Sequence, residues 1–394
     1  MGFIFSLNKK KKLKYNTEFS IFVIPYLLIL LSLFYSTNIE YGLGMLTKML
    51  SFVIFPLVFY LNRDFFLKKH IYKIFDFFSI SVLILVLFQI VKVLYNYNFI
   101  SSSLTLQEIK SNGFISITEI AIEKVEQIKL RRFRNYIIEI SNTHNTYQGL
   151  WICLTIFYLG LKSFISEKKV IKIINAVLIA IFIFWLYLIS ARMPFLALVV
   201  SLVLVIIIFS EFSLKKKVLV SLIPLLVLIA LLSFHNPFST RAKEYYNTGF
   251  SILGESSRAS EFNSSNVRNG VYYCDIKLIK DAPFFGVGLG DVQDKLNDCY
   301  QENINSKVYN WHTYNTHNQY AFFWIASGIL GLISFLALIC INFFNSFKNK
   351  NVLLFYLTGI TTIVFFSENL LQRSDGVLFY CFFISLLFFN KLKI

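Results

Sequence analysis

Charge is what this 394-residue sequence lacks most: Asp, Glu, Lys and Arg make up 15% of it, against 56% hydrophobic residues. A soluble domain of this length needs more charge to cover its surface, so an ordinary water-soluble fold is excluded. Other absences narrow the chemistry. No Lys-Ser or Lys-Thr pair follows the glycines between Gly286 and Gly290, and no strand pattern precedes them, so they are not a phosphate-binding loop but turn residues. No Asp-x-Asp pair is present to hold a catalytic metal. His312 and His317 lack the i,i+4 spacing of a helical zinc pair, and no Cys or carboxylate clusters with them. No internal repeat is visible, and no low-complexity linker beyond the lysines at 9–14. No small-residue cleavage site closely follows the first apolar run, which therefore reads as a retained signal anchor.

What is present is a series of apolar runs long enough to cross about 30 Å of hydrocarbon. They predict spans at roughly 20–36, 42–61, 71–94, 147–163, 172–190, 194–210, 217–234, 319–343, 352–367 and 376–390. The fold class expected is an all-α polytopic membrane protein with about ten transmembrane helices. The whole chain, 1–394, forms a single integral membrane domain, and a large extracytoplasmic loop at 235–318 lies between spans seven and eight. The net charge of +16 would suggest nucleic acid in a soluble protein. Here the lysines sit in the short turns that alternate counting places inside: Lys68 and Lys69, Lys168 and Lys169, Lys215 to Lys217, Lys348 and Lys350. That is the positive-inside pattern, so membrane lipids and not nucleic acid are the expected contact. Lys9 to Lys14 place the N-terminus in the cytoplasm, and Lys391 and Lys393 place the C-terminus there too. The 44 phenylalanines are spread along the spans as lipid-facing and packing residues and mark no stacking site.

Two predicted outer segments are long, about 96–146 and 233–318, and long loops in a compact protein carry function or are disordered. The second holds Arg258, Arg268, a helical pattern over 267–279, Pro283 to stop that helix, and Trp311-His312-Thr-Tyr-Asn-Thr-His317-Asn318-Gln-Tyr320 where the next span opens. A histidine at a membrane boundary serves as a general base near neutral pH, or simply bonds to backbone. Arg192, in the short turn Ser190-Ala-Arg192, sits on the predicted outer side against the charge rule. Its planar fork suits phosphate oxygens, although snorkelling to head groups explains it equally. His144-Asn145 opens the fourth span in the same manner, either lining the same cavity or capping the helix.

At these residues the sequence resembles the O-antigen ligase and polymerase superfamily of bacterial membrane proteins. The resemblance is carried by Arg268, by Pro-x-x-Gly-Val-Gly-x-Gly at Pro283 to Gly290, by His-Asn-x-Tyr at His317 to Tyr320, by Gly328-x-x-Gly331, and by the Ser-Ala-Arg turn. It covers the region from span five to span eight. It implies an enzyme, a metal-independent and cofactor-free membrane glycosyltransferase. That enzyme moves an oligo- or polysaccharide from undecaprenyl diphosphate to an acceptor sugar hydroxyl during cell-surface polysaccharide or lipopolysaccharide biosynthesis. The location implied is the outer face of the inner membrane. By resemblance His317 takes the acceptor proton, and Arg268 and Arg192, with Arg258 as an alternative, hold the diphosphate. Asn318, Tyr320 and His312 are candidates for other substrate contacts. A polymerase of the same family, whose acceptor is another lipid-linked repeat, is the nearest rival.

A transporter or flippase would place ionisable groups near the bilayer midplane. Away from span edges only Lys48 and Lys92 are expected there, while polar residues gather at the outer mouth, which favours surface chemistry. Cys274 and Cys299 are the two cysteines in outer segments, where an oxidising exterior is able to join them.

Overall fold

A computed structural model describes residues 17–111, 114–120, 122–233, 237–254, 262–310 and 312–390. Lys9 to Lys14, Arg258, Trp311, Lys391 and Lys393 lie outside the described residues. No strand occurs among the described residues. In chain order the helices are α1 (Thr17–Ser32), α2 (Ile39–Met49), α3 (Ser51–Leu61), α4 (Lys68–Tyr95), α5 (Tyr97–Ser101), α6 (Leu106–Ser111), α7 (Ile122–Ser141), α8 (Asn145–Ile165) and α9 (Lys169–Leu188). They continue with α10 (Arg192–Phe209), α11 (Leu214–Ser233), α12 (Pro237–Thr248), α13 (Ser264–Asp281), α14 (Val292–Cys299), α15 (Gln319–Lys348), α16 (Val352–Val364) and α17 (Ser374–Phe389).

Six helical stretches are long and apolar enough to cross a membrane: Ile39–Leu61, α4, α8, α9, α10 and α15. Three shorter apolar helices accompany them: Phe19–Tyr35, α16 and α17. α16 has 13 residues. At 1.5 Å per residue that is about 20 Å, short of the hydrocarbon thickness. α11 opens on Lys215, Lys216 and Lys217, which leaves a shorter apolar stretch behind them. One reading of the sequence needs correction: Asp76 is a further charge inside α4. It is matched by Lys162 of α8 at 2.5 Å and accepts a hydrogen bond from Tyr158 Oη at 2.8 Å. A carboxylate paired in this way is tolerated at a helix interface.

The core is aromatic. α8 and α16 meet through Phe157 stacked on Tyr356 at 3.8 Å, and the Tyr356 hydroxyl donates to Cys153 O at 2.9 Å. Phe323 and Phe335, a few turns apart on α15, stack at 4.3 Å. That contact needs a break in the helix, which Ser327 and Gly328 supply. The break leaves Ile325 O and Ile329 N–H without intrahelical partners, and the chain from Pro283 to Gly290 fills the gap. Val287 N–H donates to Ile325 O at 2.7 Å and Ile329 N–H donates to Pro283 O at 3.0 Å. Gly328, at φ +70°, leaves no room for a Cβ, which would sit 1.9 Å from Phe284 O. The other end of this element is fixed to the turn after α1. Leu289 and Gly290 N–H donate to Ser32 and Ser36 Oγ, and Asp291 accepts from the Thr37 and Asn38 N–H groups. The glycines are thus a clasp between α1 and α15, as turn residues should be.

Candidate functional site

Three local devices bring the site together. The first is α13. Asn263 caps it, accepting from the Ser265 and Asn266 N–H groups, and Arg268 emerges from its first turns. Arg268 bonds the Tyr245 hydroxyl on α12. Cys274, on the next turns, is joined by a disulfide to Cys299 at the end of α14, with the Cα atoms 5.8 Å apart. This ties the arginine-bearing helix to the following helix.

The second device is the segment entering α15. Asn318 caps the helix, its Oδ1 accepting from the Tyr320 and Ala321 N–H groups. The Tyr320 hydroxyl donates to Thr362 O at 2.9 Å. These two candidates therefore serve the architecture of the segment. Thr316 and Asn369 hydrogen-bond side chain to side chain, and Leu371 N–H donates to Gln319 Oε1 at 2.8 Å. The loop between α16 and α17 is thereby locked against His317. His317 itself has φ +45°, an uncommon conformation for a residue with a Cβ, held by its N–H donating to Asn315 Oδ1 at 3.1 Å.

The third device positions His144. Trp185 Nε1 donates to Gln89 Oε1, Gln89 Nε2 to Gln148 Oε1, and Gln148 Nε2 to Thr143 O. This buried chain of amides links α9, α4 and α8 to the residue beside His144, and each link satisfies a polar group that would be costly unpaired. His144 caps α8 through Nδ1, accepting from Thr146 N–H at 3.3 Å. The first turn of α8 lies on the Ser190–Pro194 turn: Asn145 Nδ2 donates to Ile189 O, and a Cβ at Gly149 would come within 2.7 Å of Ala191 Cβ. Arg192 is therefore beside the start of α8.

The electrostatics join these parts. Burial, then the positive charges of Arg268, His144 and Arg373, pushes the His317 imidazole down to about 3. His144 is pushed down to about 4 by burial and by Arg134, Arg373 and Arg268. Both rings are neutral at physiological pH. His317 Nδ1 makes no hydrogen bond, and Glu368 Oε2 lies 3.9 Å away, beyond bonding distance. Burial raises the Glu368 carboxyl, while Arg268 and Arg373 oppose that. The result is a neutral imidazole in a field of guanidinium groups.

Of the residues read from the sequence, Arg268 and His317 share this centre, His144 joins them, and Arg192 flanks it. His312 lines a separate cavity with Tyr300 and Tyr309. Glu368 and Arg373, which the sequence reading above does not name, belong to the same electrostatic centre. Their signal was present: a Glu and an Arg five residues apart in a segment otherwise apolar on both sides. Arg134, also unnamed in that reading, is a further positive neighbour of His144. Among the described residues no group of three or more His, Cys, Asp or Glu side chains gathers as metal ligands would.

The helical bundle thus gathers arginines and a buried histidine where apolar helices begin. Residues 176–336, from α9 through the break in α15, match the family described as O-antigen ligase. Over that stretch the match supports the resemblance to the O-antigen ligase and polymerase superfamily carried by Arg268, Pro283 to Gly290 and His317 to Gly331. An uncharacterised protein of Haemophilus influenzae is 25% identical over 204 residues, which are 48% of this chain. The chain spans about half the length of that relative, 50% of it.

Proposed function

We propose that the protein transfers a glycan from undecaprenyl diphosphate to a sugar hydroxyl on the outer face of the cytoplasmic membrane. The observation that carries this reading is the buried, positive-φ His317 in the electrostatic field of Arg268 and Arg373. The acceptor oxygen attacks the anomeric carbon and its proton passes to the His317 imidazole. The bond from that carbon to the phosphate oxygen breaks, and the electron pair leaves with the lipid diphosphate. Its growing negative charge falls to Arg268, Arg192 and Arg373, whose donors need no reorganisation at that moment. Glu368, 3.9 Å from Nδ1, places an acidic group beside the imidazolium that forms. The diphosphate is already a good leaving group, so the scheme needs neither a metal nor a nucleotide sugar.

The topology that suits this chemistry has about ten crossings in one membrane domain. Both termini are cytoplasmic, and the 235–318 loop lies outside with α12, α13 and α14 in it. The basic turns at Lys68, Lys168, Lys215 and Lys348 support that orientation. Ligation to a lipid or protein acceptor is the reading favoured here, and polymerisation onto another lipid-linked repeat is the alternative. One envelope-glycan gel separates them, comparing wild type, a deletion strain, and the deletion carrying His317→Ala at matched protein level. Long chains that persist on the lipid diphosphate but never reach their acceptor identify a ligase. Single repeats on the acceptor identify a polymerase. Restoration of the wild-type pattern by His317→Ala overturns the assignment of the base.

A further inference from the structure

The chain just before His317 forms one wall of a second cavity. It has a volume of about 280 Å³, and its lining includes Asn297, Tyr300, Gln301, Tyr309, Asn310 and His312. Among the described residues, none in the lining carries a carboxylate, an ammonium or a guanidinium group. The polar groups are held in place from behind. Asn297 Oδ1 accepts from Gln293 Nε2 at 3.1 Å, which turns its own Nδ2 into the available donor. Tyr300 Oη donates to Tyr314 O at 3.2 Å and Tyr309 Oη donates to Val267 O at 3.0 Å, so each hydroxyl oxygen keeps acceptor capacity. The two tyrosine rings stack at 4.5 Å and fix the floor. Gln301, Asn310 and His312 are exposed at the rim.

Such a cavity offers donors and acceptors in fixed places, with no permanently charged group among its described lining residues. A phosphate or uronate would require a cationic partner there. Hydroxyl groups, which both donate and accept, require none. His312 and His317 are five positions apart, so their Cα atoms lie at most about 18 Å from each other. The cavity also belongs to the same rigid unit as Arg268. Tyr309 bonds the backbone of α13 at Val267, one residue before Arg268, and the Cys274–Cys299 link joins α13 to the helix that carries Asn297.

We propose that this cavity is a glycan subsite that binds an uncharged sugar of the polymer undergoing transfer. The proposal rests on the transfer reading above, since it is the nearness to His317 that makes a sugar the relevant ligand. The sugar belongs either to the donor chain or to the acceptor, and kinetics decide between them.

The test uses the full chain in lipid nanodiscs. The probes are the neutral and the acidic oligosaccharide fractions released by acid hydrolysis from the envelope of the producing cells. Binding is followed by saturation-transfer NMR for wild type, His317→Ala and the rim variant Gln301→Ala/Asn310→Ala. Both substituted rim residues are exposed, and an intact Cys274–Cys299 link in the purified variant verifies its fold. Wild type and His317→Ala should bind the neutral fraction equally, independently of salt, and the rim variant at least tenfold more weakly. In a transfer assay the rim variant should raise KM at least tenfold for one substrate only, with kcat held within about twofold. The substrate affected, donor or acceptor, identifies the source of the sugar. Unchanged binding in the rim variant, binding confined to the acidic fraction, or no binding of the neutral fraction overturns the subsite. Full transfer by His317→Ala overturns the catalytic reading instead and leaves the binding result standing.

Discussion

Gly328→Ala is the sharpest probe of the clasp that aligns the two halves of the site. At φ +70° and ψ −168° the glycine occupies a region open essentially to glycine alone. Alanine there costs roughly 1–3 kcal/mol in backbone strain. Its Cβ would also lie 1.9 Å from Phe284 O, 2.3 Å from Phe284 C and 2.6 Å from Phe285 N, all backbone atoms that cannot turn aside. If the loop moves away, three hydrogen bonds are lost: Val287 N–H to Ile325 O, Ile329 N–H to Pro283 O, and Trp324 Nε1 to Pro283 O at 3.0 Å. At about 0.5–1.5 kcal/mol each they add roughly 1.5–4.5 kcal/mol. The total is a large share of the about 5–15 kcal/mol by which proteins are stable. Gly249→Ala is the control, because Gly249 is also at positive φ but has no atom within 4 Å of its Cβ position. It should cost only about 1–2 kcal/mol. Thermal unfolding in detergent, followed by tryptophan fluorescence, together with transfer rate, reads both variants. The reasoning fails if Gly328→Ala melts and turns over like wild type, or no worse than Gly249→Ala.

The remaining predictions concern protons and charge. With His317 held near 3, kcat/KM should change less than about twofold between pH 8 and pH 5, whereas an unperturbed imidazole would keep only ~3% of its neutral form at pH 5. Arg268→Gln removes a charge that depresses His317, so the acid limb should move to higher pH; an unmoved limb contradicts the coupling. Asp275 is buried, both of its oxygens lack hydrogen-bond partners, and burial raises it well above the usual carboxylate range. The unfolded chain releases this proton near pH 3.9 while the folded chain keeps it, so stability is full below that pH and falls as pH rises. Asp275→Asn should therefore stabilise at pH 7 by at least about 1 kcal/mol and not at pH 4, in melting curves taken at both. A pH-independent difference would refute this. In the segment after α4, Arg132 donates to Glu108, to Ser102 Oγ and to the carbonyls of Phe99, Ile100, Ser102 and Ser103. Arg132→Ala strands those groups, and should lower protection against hydrogen exchange over 97–111 by roughly 3–5 kcal/mol; unchanged protection there would show that the hub is dispensable.

The helical class was legible because hydropathy is a local property: each apolar run expected from 20 to 390 is helical over most of its described residues, while six helical stretches are long and apolar enough to cross a membrane. The helix around Arg268 and its stop before Pro283 were equally local, and α13 runs from Ser264 to Asp281. What was not legible depends on contacts distant in sequence. Asp76 reads as an anomaly until Lys162 stands beside it, 86 residues later. Glu368 and Arg373 gain meaning only when Thr316–Asn369 and Gln319–Leu371 bring their loop to His317. Asn318 and Tyr320 stand in a motif beside His317, yet their hydrogen bonds are spent on the helix start and on Thr362. Spacing alone could not show that Asn318 and Tyr320 hold the segment that carries His317.

The most direct test of the central claim is transfer by purified protein in liposomes, from a defined undecaprenyl-diphosphate glycan, in the presence of a chelator. Wild type should turn over undiminished. His317→Ala should lose at least about 100-fold in kcat with donor KM unchanged, as removal of a general base predicts. Arg268→Ala should lose kcat and kcat/KM together, as expected for a group that acts on the leaving diphosphate. Full turnover by His317→Ala, or activity that disappears with the chelator and returns with a divalent metal, would contradict the account.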